Sequence, residues 1–182
     1  YGAIACFDYA ASAPYVEISM NPAPGRYAGD ATLDAIFISP HKFLGGPGST
    51  GVLVFNESLY HSELPPSVSA GGTVDYVGPT SQDFIRDIEG REKPGTPGVL
   101  QILKAGLAFE IKDRIGVAAI ERRERELLQR VFARWQANPQ IEILGNPDPD
   151  LRVSIISFNL KDPQGKYLHP KMAAMELKLL NA

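Results

Sequence analysis

The sequence predicts an α/β unit joined to a smaller α+β unit, and three observations carry that prediction. Short apolar runs, each ending at polar or turn-forming residues, punctuate the first third of the chain. Two segments with apolar residues at helical spacing follow, and then two strand-like runs and a last helical stretch. Strands, a long helix, then strands and a helix again is the order expected of two such units in succession. With 182 residues the chain has room for one domain or for parts of two.

The elements are justified in order. Residues 2–7 (GAIACF) form an apolar run that stops at Asp8, as a buried parallel strand would, with Cys6 a small core residue inside it. Residues 19–32 are rich in Pro, Gly and small side chains and read as a loop. Residues 34–39 (DAIFIS) are a second buried strand, and 51–55 (GVLVF) a third, reached through the Gly-rich stretch 45–51. Residues 61–97 hold many turn formers and little periodicity, so an extended functional loop region is expected there.

Val99, Leu100, Leu103, Leu107 and Ile111 recur at helical spacing, which predicts a well-buried helix over 98–109. A longer helix over 116–136 follows, with Ile120, Leu127, Leu128, Val131 and Trp135 on one side. Its charged run 121–126 (ERRERE) reads as a solvated face laced with i,i+4 ion pairs in preference to a polyanion site. Residues 141–144 and 153–160 are strands split by the turn 146–150 (NPDPD), and His169-Pro170 opens the last helix. The domain boundary is expected near 112, giving units 1–112 and 113–182.

Composition narrows the classes. At 44% hydrophobic and 21% charged the chain is globular in kind and able to bury a core. A net charge of -3 gives no electrostatic reason to expect nucleic acid or an anionic membrane as partner. A single cysteine excludes an intrachain disulfide and fits a reducing compartment, for which the cytoplasm is the expectation. His41, His61 and His169 lack metal-ligand spacing, so no metal is expected. The chain opens on Tyr1 inside a strand-like run, so a preceding segment is expected.

The chemistry concentrates in residues 34–55, DAIFISPHKFLGGPGSTGVLVF. A buried strand delivers Ser39, His41 and Lys42 to its carboxyl end, where α/β sheets place ligands. A lysine held there can lose a proton and attack an aldehyde. The GGPGSTG stretch lacks the Gly-Lys-Ser/Thr ending of a phosphate-binding P-loop. A plain strand-turn-strand hairpin with a solvated Lys42 remains the bland alternative.

The whole segment resembles the cofactor-lysine motif of the class V aminotransferase and cysteine desulfurase family, in which Ser-x-His-Lys precedes a Gly-rich turn. The resemblance implies a fold-type-I enzyme dependent on pyridoxal 5'-phosphate. Here that means part of the mixed-sheet large domain over 1–112, then the linking helix and start of a small α+β domain over 113–182. Lys42 would form the internal aldimine, and Ser39 and His41 would bind the cofactor phosphate. Asp8, in FDYAASAPYVEI, is similar to the family's strand-end aspartate, which keeps the pyridine nitrogen protonated. By its residue type alone it could equally cap a helix or meet solvent. Many relatives carry Gln three residues later, where this chain has Ala11.

A third match is Gly71-Gly72 followed by 91–98 (REKPGTPG), which is similar to the family's Gly-Gly pair and Gly-Thr turn. It implies that Thr96 reaches the phosphate of the partner subunit's cofactor in a homodimer. A threonine before Pro97 also suits a helix N-cap, and the two roles are compatible. The family's reactive cysteine, its carboxylate-binding arginine and its ring-stacking aromatic are expected outside this stretch, while Arg86 or Arg91 could meet a substrate carboxylate. The implied activity is a Lys42-based reaction on an amino acid. The rival readings are a non-catalytic copy that keeps the scaffold and a module that binds a phosphate ligand.

Overall fold

The computed structural model describes residues 2–23 and 31–180, with Glu176 to Leu180 described by their backbone only. Residues 24–30 of the expected loop 19–32 lie outside this description. The chain divides into two compact units, one running to Arg114 and one from Ile115.

The first unit is built on a three-stranded mixed sheet. Strand β1 (Cys6–Asp8) pairs in parallel with β2 (Ala35–Ile38), which pairs antiparallel with β3 (Val52–Phe55). Asp8 stands opposite Phe37, and Ile38 opposite Val52. Side chains alternate across β2, so Ile36 and Ile38 share a buried face while Phe37 points to the other side and is exposed, and Ala35 at the start of the strand is also buried. The Asp34 carboxylate accepts the Ala5 amide at 2.8 Å and ties the start of β2 to the approach of β1.

The run 2–7 departs from the expected buried strand. Only Cys6–Asp8 pairs, and all three residues are exposed, Cys6 included. β1 is an edge strand held on one side, so its apolar content marks a strand without placing it in the core.

The region expected to be one long loop contains a hairpin of β4 (Val74–Val77) and β5 (Gln82–Phe84), and then a single helical turn, α1 (Ile88–Arg91). The hairpin closes with the Gly78 amide donating to the Ser81 carbonyl and carries an irregularity between Val74 and Tyr76. That break explains why no clean alternation shows in the sequence.

Helix α2 (Val99–Ile115) closes the unit and runs longer than expected. It buries Ala105 and Ala108, whereas Leu100 is 77% exposed and Leu103 59%. The helix is apolar on more than one side, so periodicity does not identify the face that packs. The small residues allow close approach to the sheet. The core gathers Ala13, Ile36, Ile38, Phe43 and Ala108, flanked by Tyr9, Val52 and Phe109.

The second unit packs the amphipathic helix α3 (Val117–Trp135) beside a two-stranded antiparallel sheet of β6 (Ile141–Leu144) and β7 (Ser157–Leu160), and α4 (Pro170–Leu180) follows β7. Leu128 and Phe132 are buried, and Trp135 meets Phe158 edge to face at 4.8 Å. The expected strand 153–160 is shortened at its start. The Arg152 guanidinium donates to the carbonyls of Asn146 and Ile155, which holds that stretch off the ladder. Among the described residues no helix is long and apolar enough to cross a membrane.

Candidate active site

Parallel pairing of β1 and β2 sends their carboxyl ends to the same edge of the sheet. Asp8 is the last residue of β1, and Ser39 follows the last residue of β2. The two segments meet directly there, the Tyr9 amide donating to the Phe37 carbonyl at 2.9 Å. One Asp8 carboxylate oxygen accepts the Ala10 amide at 2.7 Å, which fixes the side chain at the mouth of the following turn.

After Ser39 the chain makes one 3-10 turn, Pro40–Lys42. The Lys42 amide donates to the Ser39 carbonyl and the Phe43 amide to the Pro40 carbonyl. Proline at the start supplies the required φ without losing a bonded amide. His41 and Lys42 point to solvent while Phe43 is 3% exposed and packs edge to face on Phe109 at 4.9 Å. Burying that ring stabilises the turn by about 2 kcal/mol. The lysine's place is thus set by its neighbour's burial.

The glycine-rich stretch completes the turn. A Cβ on Gly46 would sit 1.8 Å from the Pro40 carbonyl oxygen, so only glycine fits where the backbone doubles back. The Lys104 ammonium on α2 donates to the Pro47 carbonyl at 2.7 Å and holds the turn from below.

The second cluster forms around Gly71. Its carbonyl accepts the Gly95 amide at 2.8 Å, bringing the Gly-Gly pair against the Gly-Thr turn. Thr96 is exposed and makes no hydrogen bond among the described residues, so it does not act as the helix cap. Helix α2 instead begins from the Gly98 carbonyl, which accepts the Ile102 amide.

Arg91 is not available to a substrate. It is 7% exposed, donates to the Leu64 carbonyl, and lies 5.7 and 5.2 Å from the Tyr60 and Phe84 ring centres. Beside it the Glu92 carboxylate accepts the Tyr60 hydroxyl at 2.6 Å and raises that phenol's pKa. Arg86, with Glu57, Glu92 and Lys93, lines a groove of about 1140 Å³ along β3 whose lining includes neither Asp8 nor Lys42. No cluster of His, Cys, Asp or Glu among the described residues is arranged to hold a metal.

The groups at the strand ends fit pyridoxal phosphate by their chemistry. The set offers a primary amine for an aldehyde, a carboxylate for a ring nitrogen, and a hydroxyl and an imidazole for a phosphate. Among the described residues no hydrogen bond or ion pair engages the Lys42 amine, the His41 ring or the Ser39 hydroxyl.

Comparison with known proteins agrees. The profile of the family described as aminotransferase class-V matches residues 1–178. A probable cysteine desulfurase of Staphylococcus aureus is 31% identical over 162 residues, which are 89% of this chain and 36% of that protein. A probable cysteine desulfurase of Halalkalibacterium halodurans is 27% identical over 97% of this chain and 39% of its own length. The solved apo structure of a cysteine desulfurase from Thermococcus onnurineus superposes with a TM-score of 0.73 at 23% identity, covering 97% of this chain and 40% of the other. The fold is that of the fold-type-I pyridoxal-phosphate enzymes. The chain belongs to the class V aminotransferase family, whose members depend on pyridoxal phosphate. It spans between a third and two fifths of the length of these relatives.

Proposed function

We propose that this chain carries the cofactor-lysine half of a pyridoxal-phosphate enzyme acting on an amino acid, with cysteine as the substrate to test first. The observation that supports the reading is the parallel pairing of β1 and β2, which brings the strand that ends at Asp8 beside the strand that leads through Ser39 into the Lys42 turn. The names of the curated relatives at about 30% identity support the choice of cysteine.

The residues divide the work. Lys42 supplies the amine that holds the cofactor and, once freed by substrate, moves a proton at the substrate α-carbon. Asp8 keeps a proton on the ring nitrogen by charge pairing. Ser39 and His41 donate to the phosphate, and Thr96 reaches the phosphate held by the partner subunit in a homodimer. Bound there, pyridoxal phosphate supplies an aldehyde for amines and a ring that accepts the electron pair of a broken bond. Residues 1–112 would be the C-terminal half of the cofactor-binding domain, and 113–182 the linking helix and start of the small domain. The expected setting is the cytoplasm, with neither nucleic acid nor membrane as partner.

The test is a visible absorption spectrum of the protein mixed with pyridoxal phosphate, before and after borohydride, with peptide mapping. A borohydride-fixed label on Lys42 supports the reading. A label elsewhere, or none, sinks it.

A further inference from the structure

Lys112 lies far from the sheet edge in sequence and next to it in space. Its ammonium donates to the carbonyls of Ala13 and Val16, both at 2.6 Å, across separations of 99 and 96 residues. The same ammonium sits 5.6 Å from the centre of the Phe43 ring. No carboxylate among the described residues forms an ion pair with it. Partial burial pushes its pKa below the usual lysine value, and Glu17 opposes that shift.

These contacts reach both sides of the site. The turn bearing Ala13 and Val16 begins at Asp8, whose side chain is oriented by the Ala10 amide of that turn. It folds back through the Ala13 amide on the Tyr9 carbonyl and the Tyr15 amide on the Ser12 carbonyl, with Ala13 fully buried. Phe43 is covalently next to Lys42. One cation therefore closes the Asp8 turn by satisfying two inward carbonyls and also presses on the ring that seats Lys42.

Resting on the reading above, we infer that Lys112 is a positioning residue that sets Asp8 and Lys42 at their mutual distance for the cofactor. It touches neither substrate nor cofactor. Its contribution is a charge-assisted double hydrogen bond that no neutral side chain of its length reproduces. An arginine keeps the charge and the paired donors. A glutamine keeps an N–H2 donor group but lacks the charge and is one atom shorter.

The experiment is a graded series in the full chain, Lys112→Met, Lys112→Gln and Lys112→Arg. Arg114→Met, which breaks an exposed pair with Glu110 on the same helix, serves as control. Pyridoxal-phosphate affinity is read by absorbance, its orientation by visible circular dichroism, and folding by the thermal midpoint. Lys112→Met is expected to weaken cofactor affinity about tenfold and to change the dichroic band, with Gln intermediate, Arg near wild type and the control unchanged. A Met variant that melts lower yet binds cofactor with unchanged affinity and dichroism makes Lys112 merely structural and overturns the inference. Should the Met variant not fold, equal affinity and dichroism in the Gln variant and wild type overturn it instead. A wild-type protein with no borohydride-fixed label on Lys42 removes the functional reading and this inference with it.

Discussion

The Gly95 amide donates to the Gly71 carbonyl at 2.8 Å, and this bond joins two segments more than twenty residues apart into one turn cluster. Gly95 adopts φ of +76 and Gly72 φ of +86, values that side chains with a Cβ rarely take. Gly95→Ala should cost about 1 kcal/mol in urea denaturation through that strain alone, since nothing lies within 4 Å of the added methyl group. A variant as stable as wild type would show that the turn adopts another conformation in solution.

Lys42 is exposed, and its side chain makes no bond on which the fold depends. Lys42→Ala should therefore change stability by no more than about 0.5 kcal/mol while abolishing the borohydride-fixed label. Retention of a covalent label at another lysine would reassign the site.

Asp8 has a local task through the Ala10 amide, and the proposed function gives it a second, charge-based one toward the ring nitrogen. Asp8→Asn keeps an oxygen acceptor for the amide and removes the charge. Turnover should fall about a hundredfold with the melting temperature little changed. Turnover equal to wild type would remove Asp8 from the chemistry.

Glu142 in β6 accepts from Tyr167 and Asn159 and lies near Lys161, and these contacts hold its pKa below the ordinary 4.5. A carboxylate lowered on folding contributes stability that is present above 4.5 and is lost as pH falls through the folded value. The protein should lose stability on acidification below pH 4.5 more steeply than Glu142→Gln, measured by denaturant midpoints across that window. Parallel midpoints for the two proteins would show that the ion and hydrogen-bond network of β6 and β7 does not couple to pH.

Local features were legible in the sequence, and features made by distant contacts were not. The strand Ile141–Leu144 has the expected bounds, and Val117–Trp135 falls within one residue of the expected helix 116–136 at each end. The Ser-x-His-Lys turn was readable because four consecutive residues carry it, and the family match bears out the resemblance drawn from it. The β4–β5 hairpin escaped because its strands are short and irregular at Val74 to Tyr76. Burial was misjudged along β1 and α2, where an apolar run shows what could pack but not which neighbour is present. Arg91 read as a loop cation, yet Leu64, Tyr60 and Phe84 enclose it. Lys112 offered no sequence signal, because its partners lie nearly a hundred residues away.

The tight reversal at Gly46 has a genetic reading. A missense change in its codon necessarily installs a carbon where the Pro40 oxygen already stands, on the turn that carries Lys42. Under the proposed function such a lesion would show as less cofactor fixed on Lys42, which makes codon 46 an informative place to look wherever that binding has been lost.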